Sequence, residues 1–363
     1  MRRSSVICAR LLQTRSALPS LYGVTDRTLP ASASPLPVVI DTDPGIDDLL
    51  ALLLALGSPE LDVRGISVSY GNTVVENAYR NAVEITRRAG RRITLCVGAR
   101  RPLKRDLAVA AETHGASGLG YAELPPAGVI LEWVKSLDRL LADQPEPVTL
   151  VTLGPLTGLA LALRREPDLV RAKVARHIAM VGNLAARGNT TRYAEFNAWC
   201  DPEALDAVFR AELSTEMVGL DVTREAVLGP QEVTRLAHSS SPLARWIHDA
   251  LRFYVEFHKQ AEGLDGCIVN DVLPIAALIR PEALEFEEQR LVVDLGKEEG
   301  EGKGKAGGGE DQRGRTRAQP DGARVRVATR VDMGVVWPLL SERVFRWATR
   351  ATPTPITEAG ATA

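Results

Sequence analysis

Residues 37–56 read PVVIDTDPGIDDLLALLLAL. Val38, Val39 and Ile40 make the short apolar run of a buried parallel strand, and the Ala/Leu-rich end has the composition of a helix. Pro44-Gly45 supplies the turn between them. Around that turn stand Asp41, Asp43, Asp47 and Asp48. Singly, each has an ordinary explanation, because helix N-termini welcome anions and Asp both caps helices and makes turns. Together, carboxylates this crowded repel one another unless a cation sits among them. Oxygen ligands suit Ca²⁺ or Mg²⁺, whereas zinc would call for His or Cys. In an open α/β sheet the crevice beyond the carboxyl ends of the strands is where ligands bind.

Outward from this stretch, apolar runs alternate with helical patterns. Strands are expected at 61–70, 93–97, 148–153, 177–181, 215–220 and 323–331, and helices at 74–89 and 131–142. The β-α-β-α order predicts an α/β fold: a single domain with a mostly parallel central sheet flanked by helices. Two segments break the rhythm. Residues 106–120 include His114-Gly115-Ala116-Ser117-Gly118 and read as a mobile loop over the sheet edge. Residues 296–322, GKEEGEGKGKAGGGEDQRGRTRAQPDG, are charged, low in complexity and without apolar pattern, and are expected to form a disordered surface insertion.

The domain is expected over 36–350, with a disordered tail at 351–363. Residues 1–35 carry Arg2, Arg3, Arg10, Arg15 and Arg27 among serines, with Asp26 the only acid before Asp41. Such an extension is either disordered or resembles an organellar transit peptide. The expected location is cytoplasmic, with an organelle as the alternative. A formal net charge of −2 provides no basic footprint, so no nucleic-acid partner is expected. No apolar run is long enough to span a bilayer. Cys8, Cys96, Cys200 and Cys267 lack CxxC spacing, which argues against a zinc site or a disulfide framework.

Polar residues cluster at the ends of the expected strands: Asn72, Leu153-Gly154-Pro155, Met180–Asn183, Gly188-Asn189, Glu195-Phe196-Asn197 and Asn270-Asp271. A parallel sheet brings these to one crevice. Asp, Asn and Glu with little Lys or Arg make a poor phosphate site and a good site for a metal with a polyol such as ribose. In their mundane readings Asn189 is a turn residue, Glu195 a solvated charge and Asp271 a helix N-cap.

The motifs DTDPGIDD (41–48), YGN (70–72), HGASGLG (114–120), LGPLTGLA (153–160), AEFNAWCDPEA (194–204), GLDVT (219–223) and GLDGCIVNDVLPIA (263–276) occur in this order. With them the chain resembles the inosine-uridine-preferring nucleoside hydrolase family over roughly residues 36–345. The resemblance implies a Rossmann-like, nucleoside hydrolase-like domain that cleaves the N-glycosidic bond of ribonucleosides to free base and ribose. It also implies a bound Ca²⁺ and a homodimer or homotetramer. By motif position, the implied metal ligands are Asp43, Asp48, Asp271 and the backbone carbonyl of Leu153, with Asp43 taking the proton of a Ca²⁺-bound water. Asp47, Asn72, Glu195 and Asn197 are implied ribose contacts, Asn189 and Met180 lie on the 5′ side, and Asp41 supports the site from behind. Many members carry a His directly before the late Asp, as the acid for the leaving base. Here that position is Asn270, which can hydrogen-bond a base but is no general acid. His114 and His258 are candidate donors in its place, and Trp199, Tyr254 and Phe257 candidate stacking partners.

Two other readings stand beside this one. A non-catalytic nucleoside- or ribose-binding relative would keep the metal site without turnover. A phosphatase of the haloacid dehalogenase type would need Thr or Val where Gly45 stands.

Overall fold

The opening stretch folds as strand β1 (Leu36–Thr42), a turn at Pro44-Gly45, and a helix over Ile46–Leu56. The computed structural model describes residues 34–126, 135–296 and 311–350. The remaining strands are β2 (Leu61–Ser69), β3 (Leu95–Ala99), β4 (Val148–Thr152), β5 (Val174–Met180), β6 (Thr215–Val218), β7 (Val227–Leu228), β8 (Cys267–Ile268), β9 (Leu284–Val293), β10 (Thr316–Ala318) and β11 (Ala323–Val331). The main sheet runs β10-β9-β11-β6-β5-β4-β1-β2-β3, and β7 pairs with β8 apart from it. From β11 to β3 every neighbouring pair is parallel. Only β9 runs against the others, antiparallel to both β11 and the edge strand β10. The strand order reverses between β1 and β4, the switch point where a doubly wound sheet opens a crevice for ligand.

Burial explains the unusual apolarity of the first helix. Every residue of Ile46–Leu56 is buried, Asp47 and Asp48 included, as is every residue of the helix Val272–Ile279, and both helices belong to one hydrophobic cluster. A helix apolar on all sides belongs inside a protein. Truncating Leu50 or Leu53 to Ala there costs about 2–5 kcal/mol. That packing anchors the turn carrying the aspartates. Gly45 is required in it, since a Cβ would lie 2.6 Å from both Asn72 Nδ2 and His114 Nδ1.

Several expectations need correction. Residues 106–120 are not all loop. Ala111–His114 is a short helix, His114 is 4% exposed, and the Asn81 amide donates to Pro44 O and Ser117 O at 2.9 Å each. Asn81 thus ties this segment to the aspartate turn, a link between residues distant in sequence. The helix expected over 131–142 spans Leu137–Ala142, with residues 131–134 outside those described. The expected insertion contains a strand. Residues 297–310 lie outside those described, but Thr316–Ala318 pairs with Leu291–Val293 as an edge strand. β9 went unrecognised because Glu285, Glu287, Glu288 and Arg290 are exposed on an uncovered edge and mask its alternation. The expectations for 1–35 and for 351–363 fall, Ser34 and Pro35 apart, on residues outside those described. Among the described residues no helix is long and apolar enough to cross a membrane.

Candidate active site

At the carboxyl end of β1, Asp43 is buried against two glycines. A Cβ at Gly71 would sit 1.9 Å from Asp43 Oδ2, and one at Gly154 2.5 Å from Asp43 Oδ1. Asp43 Oδ2 accepts the Asn72 N–H at 2.7 Å, while buried Oδ1 has no hydrogen-bond partner. Asp48 accepts from the Thr42 hydroxyl, from Gly45 N–H at 2.9 Å and from Asn72 Nδ2 at 2.8 Å. Carboxylate oxygens of Asp47, Asp48 and Asp271 all lie within 4.8 Å of one another. Asp271 begins a helix but caps no N–H of it, so its side chain is left to the cluster. Asp41, one pleat deeper, accepts from Ser69 Oγ at 3.3 Å.

Such crowding has an electrostatic cost. Burial, then the charge of Asp48, pushes Asp43 well above the ordinary carboxylate range. Burial followed by Asp47, Asp48 and Asp43 does the same to Asp271. Asp47 is raised to about 7 by burial and then Asp48, and Asp41 to about 7 by burial, which outweighs the Ser69 hydrogen bond. No ion pair among the described residues relieves Asp43, Asp47, Asp48 or Asp271. A cation is the missing partner in physical terms.

Above this cluster opens a cleft with about 780 Å³ of empty space, solvent at its mouth included. Its lining contains Asp47, Asn72, His114, Leu153, Met180, Asn189, Glu195, Asn197, Asn270 and Asp271, so the crevice gathers these expected residues, with Asp43 and Asp48 beneath. Their partners refine the expectations. Glu195 is not a solvated charge. It is buried, and its carboxylate accepts the N–H groups of Asn197 (2.7 Å), Ala198 (3.0 Å) and Gly182 (2.8 Å), capping the helix Phe196–Cys200. Burial still raises it to about 7 against those three bonds. Asn197 Nδ2 donates to Leu153 O at 2.7 Å and Met180 O at 3.0 Å, while Asn189 Oδ1 accepts Phe196 N–H at 2.9 Å. Asn270 turns toward Asp47, with its backbone N–H and Nδ2 at 3.2 and 3.3 Å from Oδ2.

The adjoining wall is aromatic. His114, Tyr254 and His258 meet in series, the first pair tilted at 5.2 Å between ring centroids and the second edge-on at 4.5 Å, and Phe257 joins edge-on at 5.4 Å from His258. Backbone partners dictate the tautomers of both histidines. His114 Nδ1 accepts the Ile46 N–H at 3.1 Å, so its proton is on Nε2. His258 Nδ1 donates to Tyr254 O at 2.9 Å, which leaves Nε2 as an acceptor. Burial, then the neighbouring His258, lowers His114 to about 3, and burial lowers His258 as well, so both rings are neutral near pH 7. Trp199 is no stacking partner. It lies outside the cleft lining, with the Arg313 guanidinium 3.9 Å from its ring centroid. Sequence reasoning missed Thr113, Arg224, Glu262 and Ile268, which also line the cleft. They sit in contexts with no local signal of a site.

Residues 38–338 match the inosine-uridine preferring nucleoside hydrolase family. The chain belongs to that family. It is similar to the pyrimidine-specific ribonucleoside hydrolase RihA of Citrobacter koseri, 39% identical over 264 residues, which cover 71% of this chain and 84% of the relative. Among solved structures it resembles the purine-preferring ribonucleoside hydrolase from Gardnerella vaginalis, with a TM-score of 0.76 at 28% identity, covering 87% of this chain and 100% of that one. A plant nucleoside hydrolase gives a TM-score of 0.75 at 30% identity with the same coverage. This nucleoside hydrolase is therefore an enzyme acting on N-glycosyl bonds of ribonucleosides, and the binding-only and phosphatase readings fall away.

Proposed function

We propose that this chain cleaves ribonucleosides to free base and ribose in a Ca²⁺-dependent reaction, with Asp43 as the base for the attacking water. The observation that carries the proposal is Asp43 Oδ1, a buried carboxylate oxygen without a partner beside three converging carboxylates. Leaving such an atom unpaired is costly. The donor set is all oxygen, which fits a hard divalent cation. Asp43, Asp48, Asp271 and the Leu153 carbonyl would hold the ion, with Asp47 beside them. When bound, Ca²⁺ supplies fixed positive charge that orients hydroxyl oxygens and acidifies water.

The other work falls to side chains of the chain. Asp43, a buried carboxylate with one oxygen free of any hydrogen bond, is the proposed acceptor of the proton of the attacking water. Asp47 and Asn72 are the proposed partners of the ribose hydroxyls, together with Glu195 and the Oδ1 end of Asn197, whose amide nitrogen is committed to two carbonyls. Asn189 and Met180 line the 5′ side. As the bond to the base breaks, positive charge develops on the sugar, and the acidic wall stabilises it. Holding the sugar also removes orientational freedom that would otherwise add to the barrier. His114, neutral and protonated on Nε2, offers a hydrogen bond to the departing base, while Asn270 acts by holding Asp47. The family resemblance supports a homodimer or homotetramer, which light scattering would test.

The deciding experiment is release of free ribose from inosine, adenosine, guanosine, uridine and cytidine, with Ca²⁺ and after chelation. Likeness to RihA puts the two pyrimidine nucleosides first. Release that chelation abolishes and Ca²⁺ restores is the expected result. Absence of release from all five would overturn the proposal.

A further inference from the structure

The segment that bears three of the proposed substrate contacts, residues 182–197, is anchored at residues 184–186 by the Asp221 carboxylate, which accepts their three N–H groups, and is tied across its two ends by one buried side chain, Asn183. Asn183 Oδ1 accepts Glu195 N–H at 3.1 Å, and Asn183 Nδ2 donates to Ala186 O at 2.7 Å and Tyr193 O at 3.2 Å. What holds Asn183 in turn comes from the far side of the low-complexity insertion. Thr316 Oγ1, on a residue only 2% exposed, accepts the Asn183 N–H at 3.1 Å and donates to the Asn183 carbonyl. A single hydroxyl thus satisfies both backbone groups of that residue. Its approach depends on Gly182, where a Cβ would stand 3.1 Å from Thr316 Oγ1. The neighbours of Thr316 press on the same region. Arg313 covers Trp199, Arg315 lies over the Tyr193 ring at 5.0 Å, and a Cβ at Gly314 would meet Trp199 Cα at 2.6 Å. The segment itself is moored to the end of β9 by Gly314 N–H to Asp294 O at 2.8 Å and Asp294 N–H to Arg315 O at 2.9 Å.

We propose that Thr316 is a positioning residue for hydrolysis: through Asn183 it sets Glu195 and Asn197 at the cleft wall. The inference rests on the ribose-side assignment above. It gives the C-terminal end of the insertion a task in the reaction, since a strand that would otherwise only edge the sheet becomes the outer brace of the substrate segment. Thr316 touches no substrate, so its effect should fall on binding and alignment and leave the metal cluster alone.

The test compares Thr316→Val, which keeps the shape and removes the hydroxyl, with Thr316→Ser, which keeps the hydroxyl. T316V is expected to raise KM and lower kcat/KM for the best nucleoside about tenfold, with Ca²⁺ affinity, titrated with the metal alone, unchanged. Hydrogen exchange should speed up at residues 183–197 and stay constant at residues 41–48. T316S should restore both kinetics and exchange. Wild-type behaviour of T316V in kinetics and exchange would overturn the proposal, as would a defect that T316S fails to rescue. Should the wild-type chain release no ribose at all, the functional reading fails separately. Exchange then decides alone: faster exchange at 183–197 in T316V, rescued by T316S, upholds the brace, and equal rates overturn it.

Discussion

On the acidic wall of the cleft, Asp43, Asp47 and Asp48 come from one turn of six residues, joined by Asp271. On the aromatic wall, His114 meets Tyr254, which in turn meets His258, both about 140 positions away in the chain. The two walls differ in chemistry as much as in origin. The acidic side is under electrostatic tension, its carboxyl groups pushed upward by burial and by one another. The aromatic side is neutral, its two histidines held in opposite tautomers by backbone groups. One wall suits a cation and developing positive charge; the other suits an uncharged planar base. On the proposed assignment, that division lets a single crevice treat sugar and base differently.

The largest expected effect breaks the acidic wall. Asp48→Ala should abolish Ca²⁺ binding and lower turnover by ~10³-fold or more, read by metal titration and ribose release. Full activity in a variant that binds no metal would remove the basis of the assignment. The aromatic wall is tested by His114→Asn, whose Oδ1 can still accept the Ile46 N–H while the Nε2 proton is lost. Its kcat should fall about 10²-fold with Ca²⁺ affinity intact, a separation that only two independent walls produce. An equal loss of metal binding would show that the walls are one unit.

A smaller effect sharpens the border between them. Asn270→His introduces a titratable ring beside Asp47, and turnover of pyrimidine nucleosides should rise about tenfold relative to purine ones. An unchanged base profile would mean that His114 already suffices as donor. The smallest effect belongs to neither wall. Glu60 accepts from Arg343 at 2.6 and 2.8 Å and from Arg280 at 3.1 Å, joining the loop before β2 to the C-terminal helices. Partial burial opposes its ionisation, but Arg343 and Arg280 prevail and hold its carboxyl down at about 2, from 4.5. A carboxylate so depressed stabilises the fold above pH 4.5, and the contribution drains away as pH falls toward 2. Glu60→Gln should cost about 1 kcal/mol at pH 7, seen in urea unfolding, and the cost should vanish near pH 2. Ribose release at pH 7 should not change.

The same contrast explains what could be read beforehand. Asp43, Asp47 and Asp48 announced themselves because a buried strand, a turn and a buried helix lie next to one another in the chain, so neighbours in sequence are neighbours in space. Asn72, Leu153, Asn197 and Asp271 followed from parallel topology, which sends the carboxyl ends of strands to one edge. The roles of Glu195 and Asn270 were less legible. Whether a carboxylate meets solvent or three backbone N–H groups, and whether an amide faces a ligand or Asp47, depends on partners brought together only by folding. Residues 106–120 illustrate the limit again, because polar, glycine-rich composition describes a loose loop and a tightly docked one equally well.

By itself, the sequence determined the parallel α/β architecture, the helix behind the aspartates and the all-oxygen character of the site, because hydrophobic periodicity and local charge density are properties of consecutive residues. Only the tertiary structure decided which histidine nitrogen carries a proton, that Asp43 Oδ1 is left without a partner, and that Thr316 braces Asn183. Those outcomes turn on distances of about 3 Å between groups far apart in the chain, and no pattern along one dimension encodes them.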